Sequence, residues 1–250
     1  MRKQIQFIVA CLLLVSSNAF AIVNVENIRV EKREDGFSGQ LRVLASLQNG
    51  NTNNNRVGLG SRLQWIRGNI TNFLVLNYDY GNSGGATDIN KSFLHGRHIV
   101  QQNEKWAWEG FGQLAQDEFK RLSIRMLAGA GVRLTLSEKT HKGAMYLGLG
   151  TFYSTEKLDD NSTSSLFRAS TYFVYKYSLN PNTHFISTTY YQPALSDPGD
   201  FRALQQAGFN VAISKTLDLK LSLDISYDNQ PPIGVESTDT SFRTGIEYRF

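Results

Sequence analysis

His95 and His98, three residues apart in "HGRH", are the first pair in this sequence that a metal or a proton-transfer site could use. On a strand, residues three apart face opposite sides, so the two cannot close on one ion. His95 is read as a single interior histidine hydrogen-bonded to its neighbours, and His141 and His184 fall at predicted turns. No serine, histidine and acid are spaced to assemble a hydrolytic triad. The stretch "GAGV" at Gly129 to Val132 lacks the glycine spacing of a phosphate loop and the helix that should follow it. Mid-strand glycines of this kind permit bending or close packing. The expectation is therefore no enzyme, with no catalytic, cofactor-binding or metal-binding residues.

Charge is the remaining chemistry. Glu109, Arg121, Arg125, Arg133, Arg168, Lys176, Lys220, Asp224, Glu247 and Arg249 recur on the polar side of alternating segments. If those segments enclose a lumen, these side chains line it and two readings stand open. They form a charged pore lining that selects solutes, anions beside the arginines included. Alternatively they form an internal salt-bridge network that fills a narrow barrel, since buried charges must be paired. Asp88, Asp159, Asp160, Asp197, Asp200 and Asp239 fall in predicted connections and read as solvated loop acids.

The elements that must carry these residues are strands. From Leu217 to Tyr227 every second residue is apolar, and Asp218, Lys220, Ser222, Asp224, Ser226 and Asp228 take the other face. Arg121 to Leu136 behaves alike, with Leu122, Ile124, Met126 and Ala128 on one side and Arg121, Ser123, Arg125 and Gly129 on the other. Such runs exceed the five or six residues usual in globular sheets. Strands are expected at 37–48, 56–67, 70–80, 91–102, 105–116, 121–136, 143–156, 165–178, 184–193, 201–214, 217–228 and 240–250. Tight turns such as Gly68-Asn69 and Lys215-Thr216 alternate with longer polar loops such as Gly81 to Asn90 and Asn229 to Asp239, although Asp117 to Lys120 is short where a long loop belongs.

Alternation alone fits a soluble β-sandwich with the leucines inside or a membrane barrel with the leucines outside. Strand length and the Trp and Tyr residues near strand ends favour the barrel. The fold expected is all-β: a transmembrane antiparallel up-and-down β-barrel of about twelve strands. Residues 1–21 read as a cleaved signal peptide, with a basic start at Arg2-Lys3, an apolar core and the Ala19-Phe20-Ala21 cleavage site. Residues 22–250 then form the single barrel domain. Without Arg2 and Lys3 the 26 basic residues become 24 against 22 acidic, about +2, which argues against nucleic acid as partner. The only cysteine, Cys11, lies inside the signal, so disulfides and thiol chemistry are excluded from the mature chain.

The closing "GIEYRF" alternates apolar Ile246, Tyr248 and Phe250 with Glu247 and Arg249. It resembles the terminal assembly signal of Gram-negative outer-membrane proteins. The stretches "IVNVENIRVEKREDGFSG", "GNTNNN", "HGRH", "WEGFGQLAQDEFKRLSIRMLAGAGVRL" and "YDNQPPIGVESTDTSFRTGIEYRF" resemble bacterial domain-of-unknown-function family 481, described as salt-induced outer-membrane proteins. The resemblance implies a barrel in the outer membrane of a Gram-negative bacterium and brings no catalytic residues. The partners it implies are outer-membrane lipid, lipopolysaccharide and the barrel assembly machinery, around a monomer. The role expected is envelope maintenance or a narrow passive channel. A lipid- or lipopolysaccharide-modifying barrel enzyme and a soluble periplasmic lipid-binding β-protein are the alternatives.

Overall fold

The computed structural model describes residues 35–48, 54–140 and 143–249. The leader expected over 1–21, His141 and Phe250 lie outside these residues. Twelve antiparallel strands close into a barrel in which each strand lies beside its neighbour in sequence. They are β1 (Gly36–Gln48), β2 (Asn54–Arg67), β3 (Ile70–Ser83), β4 (Ala86–Asn103), β5 (Trp106–Asp117), β6 (Leu122–Thr140), β7 (Gly143–Leu158), β8 (Thr163–Asn180), β9 (Thr183–Pro193), β10 (Phe201–Ala212), β11 (Leu217–Asp228) and β12 (Thr238–Arg249). A twelve-residue strand rising about 3.3 Å per residue and tilted by about 40° stands roughly 30 Å tall.

Alternation along each strand sorts the side chains. In β11, Leu223, Ile225 and Tyr227 point outward, while Ser222, Asp224 and Ser226 are buried inside. Leu59, Leu74, Leu76, Met126, Leu149 and Phe173 extend the same exposed apolar belt around the barrel. Aromatic pairs flank it at both ends. Tyr153 with Phe167 and Tyr191 with Phe201 sit toward the longer loops. Trp106 with Trp108 and Tyr175 with Phe185 sit toward the short turns. An apolar band between aromatic girdles is the surface that a bilayer requires.

Two connections differ from the sequence reading. The loop expected over Gly81 to Asn90 is mostly strand, because β3 and β4 continue to a two-residue turn at Gly84-Gly85. Both glycines have positive φ, +60° and +90°, which suits the tight hairpin turn whose twist matches its strands. The joint after β5 is one 3-10 turn, Glu118–Lys120, capped by Asp117 and ended by Arg121 in the left-handed region at φ 56°.

The entry into β6 corrects two assignments. The ladder between β6 and β7 skips a residue between Leu122 and Ile124, so the alternation breaks at Ser123. Leu122, expected on the outer face, is therefore buried and lines the interior. Arg121, expected in the lumen, stands at the loop rim instead.

Candidate functional site

The interior divides into a wet half and a packed half. A cavity of about 1030 Å³ reaches the loop end, where Ser162, Gln230, Pro231 and Glu236 line its mouth. Val75 and Phe93 form its apolar floor, while Ile89 and Leu122 line its wall nearer the loops. Toward the short turns, two clusters fill the barrel. One holds Phe73, Val75, Phe93, Ile99 and Ala107. The other holds Tyr146, Tyr172, Val174, Ile186, Tyr190 and Leu204. Tyr172 occupies space left by a missing side chain: a Cβ at Gly148 would collide with its ring. Gly129 likewise leaves room for Phe111 and Phe152, whose atoms would lie 2.7 and 2.5 Å from an added Cβ. Gly129 and Gly148 thus serve close packing.

The charged residues expected in the lumen are paired across strands. In the packed half, Arg97 Nη1 donates to Glu109 Oε2 at 3.1 Å, and the Tyr172 hydroxyl donates to the same oxygen at 2.7 Å. The Arg133 guanidinium lies 3.8 Å from the centre of the Tyr146 ring, and Lys176 is 5.9 Å from it on the same interior face. Around the cavity, Glu156 accepts from Arg125 Nε at 2.7 Å and from Arg202 Nη1 and Nη2 at 2.5 and 3.1 Å. Arg202 Nε reaches Asp228 at 2.8 Å. Arg168 holds both oxygens of Asp200 at 2.8 Å, drawing the loop after β9 onto the wall. Fully buried Asp224 takes Arg243 at 2.8 Å and the Gln206 amide. Lys220 meets Glu247 at 3.0 Å, and Arg249 meets Asp218 at 2.8 Å close to the turn end.

Fork geometry suits arginine to such bidentate pairs, and in a space partly removed from water each pair lowers the cost of burying its members. The arrangement holds the cavity's shape and presents alternating charge to anything inside it. Arg202 and Gln206 were missed in the sequence; both lie on β10, whose alternation is blurred by Ala203, Gln205 and Ala207.

Arg121 does different work at the rim. Its Nε donates to both oxygens of Asp159 at 3.0 and 3.1 Å, its Nη2 to Asp160 at 3.3 Å and its Nη1 to the Ile233 carbonyl at 3.0 Å. One side chain thereby joins the connections after β5, β7 and β11. The hydroxyl and amide of Ser162 hydrogen-bond Asp160 and hold its carboxyl below the usual carboxylate range. Two more of the acids expected in loops pair as well, while Asp197 accepts the Gly199 amide at 3.0 Å. Asp88, which lies in β4, meets Arg56 at 3.4 Å, and Asp239, in β12, meets Lys120.

His95 and His98 fall on opposite faces. His95 is buried between Phe73, Phe93 and Phe111, each ring 6.1 Å away, whereas His98 is exposed and contacts Asn72 Oδ1 at 2.7 Å. Ser178 Oγ lies 2.9 Å from His184 Nδ1, a contact that follows from their standing directly opposite on β8 and β9. Ile246 and Tyr248 are exposed on the outer wall, while Glu247 faces inward.

Comparison with known proteins fits this geometry. The NanC porin is 8% identical and superposes with a TM-score of 0.53, over 85% of this chain and 99% of that one. The translocator domain of the autotransporter NalP from Neisseria meningitidis is 13% identical, with a TM-score of 0.50 over 88% of this chain and 90% of that one. At such identities the likeness is one of fold: a closed barrel of the kind found in outer-membrane proteins. No curated protein matches the chain. The family model described as "Protein of unknown function, DUF481" matches residues 44–250, and the chain belongs to that family.

Proposed function

We propose that the protein sits in the outer membrane and gives small solutes a narrow, passive route, without catalysing a reaction. The observation that carries this reading is the cavity of about 1030 Å³, lined by paired charges, that narrows onto packed aromatic rings. A lumen of this build admits water and small polar molecules at the mouth and restricts what leaves at the turn end. The apolar belt and its girdles support the membrane location. The likeness to a protein named as a porin supports a channel. Outward-facing Ile246 and Tyr248 support a terminal segment that contacts lipid and is read by the assembly machinery. Lipopolysaccharide would then surround the loop end of a monomer.

Planar-bilayer recording of the purified protein tests the channel. Small, steady current steps are expected. Phe93→Ala, which removes a ring shared by the cavity floor and the packed cluster, should enlarge them several-fold. Silence from both proteins would reject the channel, and large steps from the unaltered protein would reject the constriction.

A further inference from the structure

One hydrogen bond in the packed half skips two strands. Tyr172 stands on β8, yet its hydroxyl donates at 2.7 Å to Glu109 on β5. Neighbouring strands lie about 4.8 Å apart, so the bond closes a span of roughly 14 Å along the wall. The wall between is bare. Gly131 on β6 stands opposite Gly150 on β7, and Gly148 stands opposite Tyr172. These glycines share the interior face with Arg133, Tyr146 and Phe152. An added Cβ would lie 2.6 Å from the Leu149 carbonyl oxygen at Gly131 and 2.5 Å from that of Ala130 at Gly150. At Gly148 it would strike the Tyr172 ring itself. The ring thus lies over a trough that glycine alone can floor.

The carboxylate that holds Tyr172 also holds the upper end of the trough. Arg97 donates to the same Glu109 oxygen at 3.1 Å, and its guanidinium carbon stands 5.3 Å from the centre of the Phe111 ring. Phe111 and Phe152 cover Gly129, the next interior glycine of β6 toward the cavity, and Ser154 above them lines that cavity. Glu109 therefore ties down rings at both ends of the bare strip. A tyrosine side chain has other staggered χ1 wells, and turning to one of them would carry the ring off Gly148.

We propose that Tyr172 gates the passage: with its hydroxyl on Glu109 the ring covers the glycine trough, and when that bond breaks the ring turns aside and the trough joins the cavity to the turn end. The gate's purpose rests on the channel reading, whereas the motion of the ring does not. Tyr172→Phe isolates the latch. It keeps the ring and leaves Glu109 paired with Arg97, so the barrel should still fold, as heat-modifiable migration checks. Losing a hydrogen bond to a carboxylate shifts such a two-position equilibrium by roughly tenfold.

Two measurements separate the gate from the channel. With no cysteine beyond Cys11 in the expected leader, single cysteines can be read cleanly in protein folded in detergent. Ser170→Cys reports on the trough, because Ser170 is buried directly opposite Gly150. A small methanethiosulfonate reagent should label it about tenfold faster when Tyr172→Phe is also present. Ser226→Cys, in the cavity wall, should be labelled at one rate in both backgrounds. An unchanged rate at Ser170→Cys overturns the gate whether or not the protein conducts, and equal acceleration at both sites overturns it as general loosening. In planar bilayers, Tyr172→Phe should add a current level several-fold above the steady steps of the unaltered protein. Faster labelling without a change in current overturns the gate as well. With steps present, the trough is not the passage; with none from either protein, the channel reading falls and takes the gate with it.

Discussion

Leu223→Arg is expected to remove most of the folded, heat-modifiable protein, whereas Leu223→Met should leave it unchanged. Leu223 is exposed on the outer wall near the middle of β11, between Ala207 and Phe242 on the neighbouring strands. In the proposed membrane setting its side chain meets hydrocarbon, where arginine costs about 2–4 kcal/mol near the midplane. Outer wall and lumen alternate, so the same charge placed inside should be far milder. Ser226→Arg provides that contrast, because Ser226 lines the cavity directly opposite Asp239. Folding into lipid vesicles, followed on gels across a urea series, reads both variants. Equal loss from Leu223→Arg and Ser226→Arg would reject the assignment of faces.

The second large effect is expected inside the barrel. Glu156→Gln keeps the size of the side chain but removes the charge that Arg125 and Arg202 share. Arg202 retains Asp228, whereas Arg125 loses the acid that holds its Nε at 2.7 Å. Leaving a buried guanidinium uncompensated costs about 3 kcal/mol. The urea midpoint of the folded barrel should fall accordingly, and a second change, Arg125→Met, should recover part of the loss. A midpoint unchanged by Glu156→Gln would show that cavity water solvates these arginines well enough to replace the pair.

These two variants also mark where sequence reasoning was strong and where it ran out. Period-two alternation placed β11 at the residues where it lies, because its leucines and its acids never share a face. It failed at the start of β6, where Arg121 is left-handed and the ladder skips a residue at Ser123, and nothing in "DEFKRLS" announces that geometry. It failed at Gly81 to Asn90, where a run of turn-forming residues hides a hairpin that needs only two of them. The packed half of the lumen was not legible. Phe152 points inward beside outward Tyr153, and Tyr172 inward beside outward Phe173. Adjacent aromatics do not declare their face. Pairing was hidden for another reason: Glu156 and Arg202 stand 46 residues apart, and only closure of the barrel brings them together.

The rim arginine carries a consequence for ionic strength. Its carboxylate partners, Asp159 and Asp160, are half exposed, unlike the pairs within the barrel. Raising salt from 0.1 to 1 M shortens the screening length from about 10 Å to about 3 Å. The hold of Arg121 on Asp159 and Asp160 weakens over that range, while Arg168–Asp200 and Arg97–Glu109 are shielded by protein. The Ile233 loop shares the same guanidinium, so it loosens with them. Dilute media therefore favour a tied mouth and brine an untied one, with the wall beneath unchanged.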